Sequence, residues 1–164
     1  MPGENYAQII ELARQQEDLL RFDHFTADDA WTLGSHIVSM IRERKIDMAV
    51  SIRKLSGHIL FQYCTQKTTL SNQNWMQRKF GTVALTEGCS LRAWASLTQR
   101  GQVPQDQGVD PLQYAYCGGG FPIRLKTGEL VGAVIVSNLP HREDHRFVVE
   151  ALSLYLGVKD VPFV

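Results

Sequence analysis

Tyr6, Ile9, Ile10, Ala13 and Leu20 recur at the three- and four-residue spacing of one helix face, which predicts an amphipathic helix over residues 4–20. A second helix is expected after Thr26. There "TADD" places Asp29 three residues beyond a Thr, a capping-box arrangement that satisfies free backbone N–H groups. Ala30, Leu33, Ile37, Val38 and Ile41 form its apolar stripe. The period then shortens. "MAVSIRKL" (48–55) and "HILFQYCT" (58–65) read as two strands joined across Ser56-Gly57. Helical spacing returns over 71–88, with Met76, Phe80 and Val83 on one side, and again in "SLRAWASLTQRG", which ends on Gly101.

Residues 102–113 contain Pro104, Asp106, Gly108 and Pro111 and are expected as a loop. Two more strands follow, "GFPIRLK" and "LVGAVIVS", turned by "TGE", and a last helix runs from about Pro140 to Leu156. Two helices, a hairpin, two helices, a second hairpin and a closing helix make an α+β domain. Its sheet is expected to be mainly antiparallel with helices on its faces. The 164 residues carry no repeat, linker or low-complexity tract and read as a single domain.

Composition narrows the functional classes. Lys plus Arg and Asp plus Glu each number 17, so no net field directs the chain to nucleic acid or to an anionic membrane. The longest apolar runs fall well short of the ~20 residues that span a bilayer. "MPGENYAQII" lacks the basic and apolar segments of a secretory signal. Cys64, Cys89 and Cys117 are odd in number and widely spaced, which argues against a disulfide framework or a thiolate metal site and suits a reducing cytoplasm.

The stretch "YAYCGGGFPIR" (114–124) raises a phosphate loop as one reading. Such a loop needs a Lys-Ser/Thr after its glycines and then a helix whose N-terminus faces the anion. Here Phe-Pro-Ile and a strand follow instead. The glycines are better read as a bend into the strand, with bare backbone available to form a pocket wall.

The order of these elements, with "GGGFPIRLKTGELVGAVIVSNLPHREDHRFVVEAL", resembles the haem-degrading domain family, the GlcG/HbpS-like group. The resemblance rests on Gly119-Gly120-Phe121-Pro122-Ile123, the hairpin from Gly128 to Gly132, the Ser137-Asn138 turn and Glu143-Asp144, and it covers about residues 15–157. "RFDHFTADDAWTLG" and "NWMQRKFGTV" are similar to a small, stand-alone cytoplasmic branch of that group. The resemblance implies a profilin-like fold with a five-stranded antiparallel sheet, assembly into homo-oligomers, and a ligand pocket near the glycine motif. Some relatives bind haem. Asn138 stands where many relatives carry Gly, and Asn tolerates a left-handed backbone at modest cost.

Trp75 and Lys79 share a helix face at i, i+4, where an aromatic and a cation can hold a carboxylate or phosphate, a haem propionate among them. The same pair is also what a lysine lying over a packed tryptophan looks like. The ligand-binding candidates are therefore Trp75, Lys79, Gly119, Gly120 and Phe121. Arg78, nearly opposite the apolar side, and His36, about 130° from the centre of its helix's stripe, are expected on the surface as oligomer contacts. His141 and His145 in "HREDH" lack a third ligand, and Glu143 and Asp144 complement the macrodipole of a helix start. No G-x-S-x-G elbow or acid–base pair stands out, and Cys117 reads as a packed thiol. These features point to a non-catalytic binding module for a small anionic or haem-like ligand. An assembly protein acting through its oligomer surface is the alternative, and an enzyme acting on haem or a small metabolite is the third.

Overall fold

Strands β1 (Ala49–Lys54), β2 (Ile59–Cys64), β3 (Gly120–Arg124) and β4 (Leu130–Ser137) form one antiparallel sheet in the order β2-β1-β4-β3. The structure is a computed structural model that describes residues 3–164. The helices are α1 (Tyr6–Leu19), α2 (Ala27–Arg44), α3 (Leu70–Thr86), α4 (Ser90–Gln99) and α5 (His141–Leu156). A short 3-10 turn, Pro104–Gln107, interrupts the long segment after α4.

The sheet is covered on both faces, so its central strands are apolar without simple alternation. Val50 and Ile52 of β1, with Val134 and Val136 of β4, enter the main core beneath α2 and α5. Ala49, Ala133 and Ile135 point the other way and meet Met76, Phe80 and Val83 of α3. The period of two therefore survives in the sorting of side chains between two cores rather than in a polar face.

Among the described residues the sheet has four strands, not five. Beyond β3 only a single parallel bridge, Phe22 to Leu125, extends it. The Phe22 N–H donates to the Arg124 carbonyl at 2.9 Å, and the Lys126 N–H donates to the Phe22 carbonyl at 2.8 Å. The chain enters α2 just beyond this point, at Ala27, which leaves too few residues for a strand. Pro122 lies in β3, an outer strand paired only with β4, where its missing donor is tolerated.

Local chemistry sets the helix starts. Thr26 and Asp29 form the expected capping box of α2, and Thr69 with Asn72 forms another at α3. Helix α4 begins at Cys89 without a side-chain cap of its own. The buried carboxylate of Glu17, from α1, takes the Cys89 N–H at 2.7 Å and pairs with Arg92 at 2.9 Å. A residue 72 positions away thus fixes where α4 starts.

Candidate ligand-binding cavity

The start of α3, the C-terminal end of β4, the start of α5 and the segment before β3 enclose a cavity of about 570 Å³. Trp75, Trp94 and Tyr116 supply aromatic wall, and Lys79, Asp144 and His141 supply the chemistry. Lys79 is 3 % exposed. Its Nζ donates to Oδ2 of Asp144 at 2.7 Å and to the Val136 carbonyl at 3.0 Å. An ammonium has three donors, so one remains uncommitted. Asp144 accepts the Leu139 N–H on its other oxygen at 3.0 Å. Burial pushes the Asp144 carboxyl above its usual range, while Lys79 and the N–H groups of Leu139 and Asn138 pull it back.

His141 begins α5 directly after Pro140, as the sequence predicts. Its Nδ1 accepts the Gly118 N–H at 3.2 Å, so in the neutral ring Nε2 carries the proton. Burial, then the nearby Lys79, holds this imidazole below its usual pKa. The ring packs edge-on against Trp94 at 4.7 Å between centroids. His141 therefore offers the cavity a neutral N–H donor.

Asn138 also lines the cavity, at φ 150°. This is not the left-handed helical geometry expected for the turn. It is a more extended positive-φ conformation in which non-glycine residues carry strain. Two bonds hold it. Its side-chain amide donates to the Asp47 carbonyl at 2.9 Å and accepts from Asn72 at 3.2 Å.

The glycine run stands behind this wall rather than on it. A Cβ at Gly119 would come within 2.6 Å of the Lys79 Nζ and 2.7 Å of the Val136 carbonyl. At Gly118 it would meet the His141 carbonyl at 2.2 Å. Bare backbone is thus needed so that Lys79 can reach Asp144 and α5 can sit close. Gly120 and Phe121 are buried, Phe121 in the main core, and neither lines the cavity.

Of the other sequence-predicted residues, Trp75 and Lys79 do line the cavity, but they are not partners. Trp75 stacks on Arg78, whose guanidinium carbon lies 4.3 Å from the ring centroid. Arg78 is half-buried instead of meeting solvent, because the segment after α4 folds back over it and accepts its Nη2 at the Pro111 carbonyl, 2.7 Å away. His36 is half-buried too, with Nε2 3.1 Å from the Ala151 carbonyl of α5. Its angle from the apolar stripe did not reveal that α5 lies on that side. Cys117 faces the cavity, and burial raises its thiol pKa.

Sequence reasoning missed Asp144, which reads locally as a helix-dipole residue. It also missed His145, which is sealed in the core. The Gln16 amide N–H donates to the Pro162 carbonyl at 2.7 Å, which leaves its oxygen to accept from His145 Nε2, also at 2.7 Å. Burial pushes the His145 pKa down to about 3. Among the described residues, no group of three His, Cys, Asp or Glu is placed to hold a metal ion, and no helix is long and apolar enough to cross a membrane.

Comparison with known proteins places this architecture. Residues 25–153 match the family described as haem degrading protein HbpS-like. A UPF0303 protein of Yersinia enterocolitica is 33 % identical, covering 94 % of this chain and 92 % of its own. One from Rhizobium rhizogenes is 39 % identical over 87 % of each chain. Among solved structures, Ybr137w protein superposes with a TM-score of 0.83 at 26 % identity, covering 90 % of this chain and 87 % of that one. HbpS superposes at 0.65 with 17 % identity over 84 % and 93 %. A PduOC:heme complex does so at 0.65 with 16 % identity over 79 % and 93 %; these last two likenesses speak to fold alone. The chain belongs to the HbpS-like family, in company with the UPF0303 proteins.

Proposed function

We propose that this HbpS-like protein is a binding module for a small anionic ligand, held in the cavity by the free donor of Lys79 and by Nε2–H of His141. The observation that carries this reading is Lys79 itself. A buried ammonium at the cavity wall spends two donors on the protein and keeps a third. With Lys67 at the same wall and Asp144 as the one carboxylate, the charged lining residues carry one excess positive charge. The volume suits a small molecule, and aromatic side chains with a few convergent polar groups are the usual furniture of such sites.

A haem-type ligand fits this arrangement through its carboxylates, not through its iron. Nδ1 of His141 is occupied by Gly118, so Nε2 presents a proton and no lone pair. His145 is sealed away, and Cys117 is held as a thiol. The raised thiol pKa also favours binding over nucleophilic chemistry. Titration with haemin and with simple carboxylates and phosphate tests the reading. Binding that survives His141→Ala with an unchanged Soret band, and weakens when Lys79 and Asp144 are neutralised together, is the expected result. A Soret shift abolished by His141→Ala would overturn it in favour of iron ligation.

A homo-oligomer is part of the same proposal, with its contact surface moved from Arg78 and His36 to the edge of the sheet. Trp31 is 67 % exposed and packs its ring edge against Phe61 of the outer strand β2, and Ile59, 41 % exposed, stands on the same strand's other face beyond a bulge. Large apolar side chains grouped on an open edge suit a second copy of the chain. Light scattering should report a multimer for the native chain and a smaller species for Trp31→Glu. A native monomer would remove this part of the reading.

A further inference from the structure

An anion on the free donor of Lys79 meets an ammonium whose charge Asp144 already neutralises across 2.7 Å. The donors of an ammonium diverge tetrahedrally, and a charge-assisted bond runs about 2.8 Å. The oxygen of the anion therefore stands about 4.5 Å from Oδ2 of Asp144. Both side chains of the ion pair are nearly sealed from water. At that range two negative charges oppose each other, and a carboxyl beside a like charge is driven towards its neutral form.

Among the described residues at this wall, Asp144 is the one group with room for a proton. Lys79 of α3, and Lys67 before that helix, carry theirs as ammonium groups. Cys117 and Tyr116, from the segment before β3, hold theirs as thiol and phenol, each with its pKa raised by burial. The end of β4 and the turn after it bring no charge: the Val136 carbonyl lies on Lys79 and the Leu139 N–H on Oδ1 of Asp144. On α5, His141 already has a proton at Nε2. Its Nδ1 accepts the Gly118 N–H at 3.2 Å, so a second ring proton would face that N–H head-on. Arg142 pairs with Glu4, Glu143 is exposed, and His145 is sealed in the core against Gln16. Protonation suits Asp144 well. Oδ1 keeps the Leu139 N–H, and Oδ2 changes from a competitor for Lys79 into a second donor.

We propose that an anion enters this cavity together with one proton, which comes to rest on Oδ2 of Asp144. Ionised, Asp144 holds the Lys79 charge for itself; protonated, it yields that charge to the ligand. The site thus takes up the elements of a weak acid, a carboxylate or phosphate with its proton, and its occupancy responds to pH. The inference rests on the anion-binding reading and adds the proton to it.

Trifluoroacetate, whose carboxylate stays ionised from about pH 5 to pH 8, is a suitable probe, followed by fluorine NMR on the native chain. The complex holds more protons on Asp144 than the free protein does. Affinity should therefore rise as pH falls, by up to about tenfold per unit, until the free carboxyl is itself protonated. Calorimetry in two buffers of different ionisation enthalpy should report net proton uptake on binding. In protein labelled with carbon-13 aspartate, the Asp144 carboxyl resonance should move to its protonated position as the probe is added, while nitrogen-15 shifts keep His141 neutral. Binding that is equally tight across the pH range, with no proton uptake, overturns this inference and leaves the anion reading standing. A proton that appears on His141 instead of Asp144 overturns it as well. No binding at any pH removes the anion reading, and this inference with it.

Discussion

Nζ of Lys79 and Oδ2 of Asp144 lie 2.7 Å apart, with both side chains less than 5 % exposed, and they join α3 to the start of α5 across the end of β4. The ion pair is the structural anchor of the cavity and its only buried charge of each sign among the lining residues.

Removing one partner should therefore cost far more than removing both charges. Lys79→Met leaves Asp144 buried and uncompensated, a loss of about 3–5 kcal/mol. Adding Asp144→Asn keeps an oxygen for the Leu139 N–H and should recover most of it. Urea denaturation of the two single variants and the double variant measures this as a coupling energy.

Acid should loosen the protein before most carboxylates titrate. The folded pKa of His145 is about 3, against 6.5 for the free side chain, and burial lowers that of His141 as well. Over that window the unfolded chain binds the proton and the folded one does not. The His145 contribution is thus full above about pH 6.5 and falls as pH drops towards 3, by about 1.4 kcal/mol per pH unit, and His141 adds a loss of the same sign. Asp144, raised by burial, runs the other way: its folded form keeps its proton to higher pH than the unfolded chain does and offsets part of the loss. His145→Gln, which keeps a donor for Gln16, should flatten the profile measured by denaturation at a series of pH values.

How much of this the sequence discloses depends on the range of the interaction. The stripe Met76, Phe80, Val83 and the Thr26–Asp29 box concern neighbours within a turn or two, and both stand as expected. Lys79 and Asp144 are 65 residues apart, and nothing local marks one as the other's counter-ion. A helical wheel places Arg78 correctly away from the sheet. It is blind to the later segment that folds back and covers it. The glycine run is legible as a place of close approach, but what approaches, the Lys79 ammonium and the His141 backbone, is visible only once the chain is folded. The fifth strand is absent because one residue, Phe22, has room to pair before α2 begins.

Glu17 should matter more than its place in an amphipathic helix suggests. Glu17→Ala removes the acceptor of the Cys89 N–H and the partner of Arg92 together. We expect a loss of about 2 kcal/mol in denaturant unfolding and faster hydrogen exchange at the start of α4. Glu17→Gln, which retains an acceptor, should lose less.

The three thiols should react in a fixed order. Cys64 is exposed, Cys117 is part-buried at the cavity wall with a raised pKa, and Cys89 is sealed with its pKa raised further by burial and Glu17. Timed alkylation read by mass spectrometry should modify Cys64 first, Cys117 slowly and Cys89 only on unfolding. A ligand in the cavity should protect Cys117 and leave Cys64 unaffected.

The most direct test of the anion-binding cavity is native mass spectrometry of the protein taken gently from cells, compared with its Lys79→Met/Asp144→Asn variant. The account predicts a small molecule retained on the native chain, of anionic character when released, and its loss from a variant that is still folded. The same mass on both proteins, or bare polypeptide in each, would contradict it.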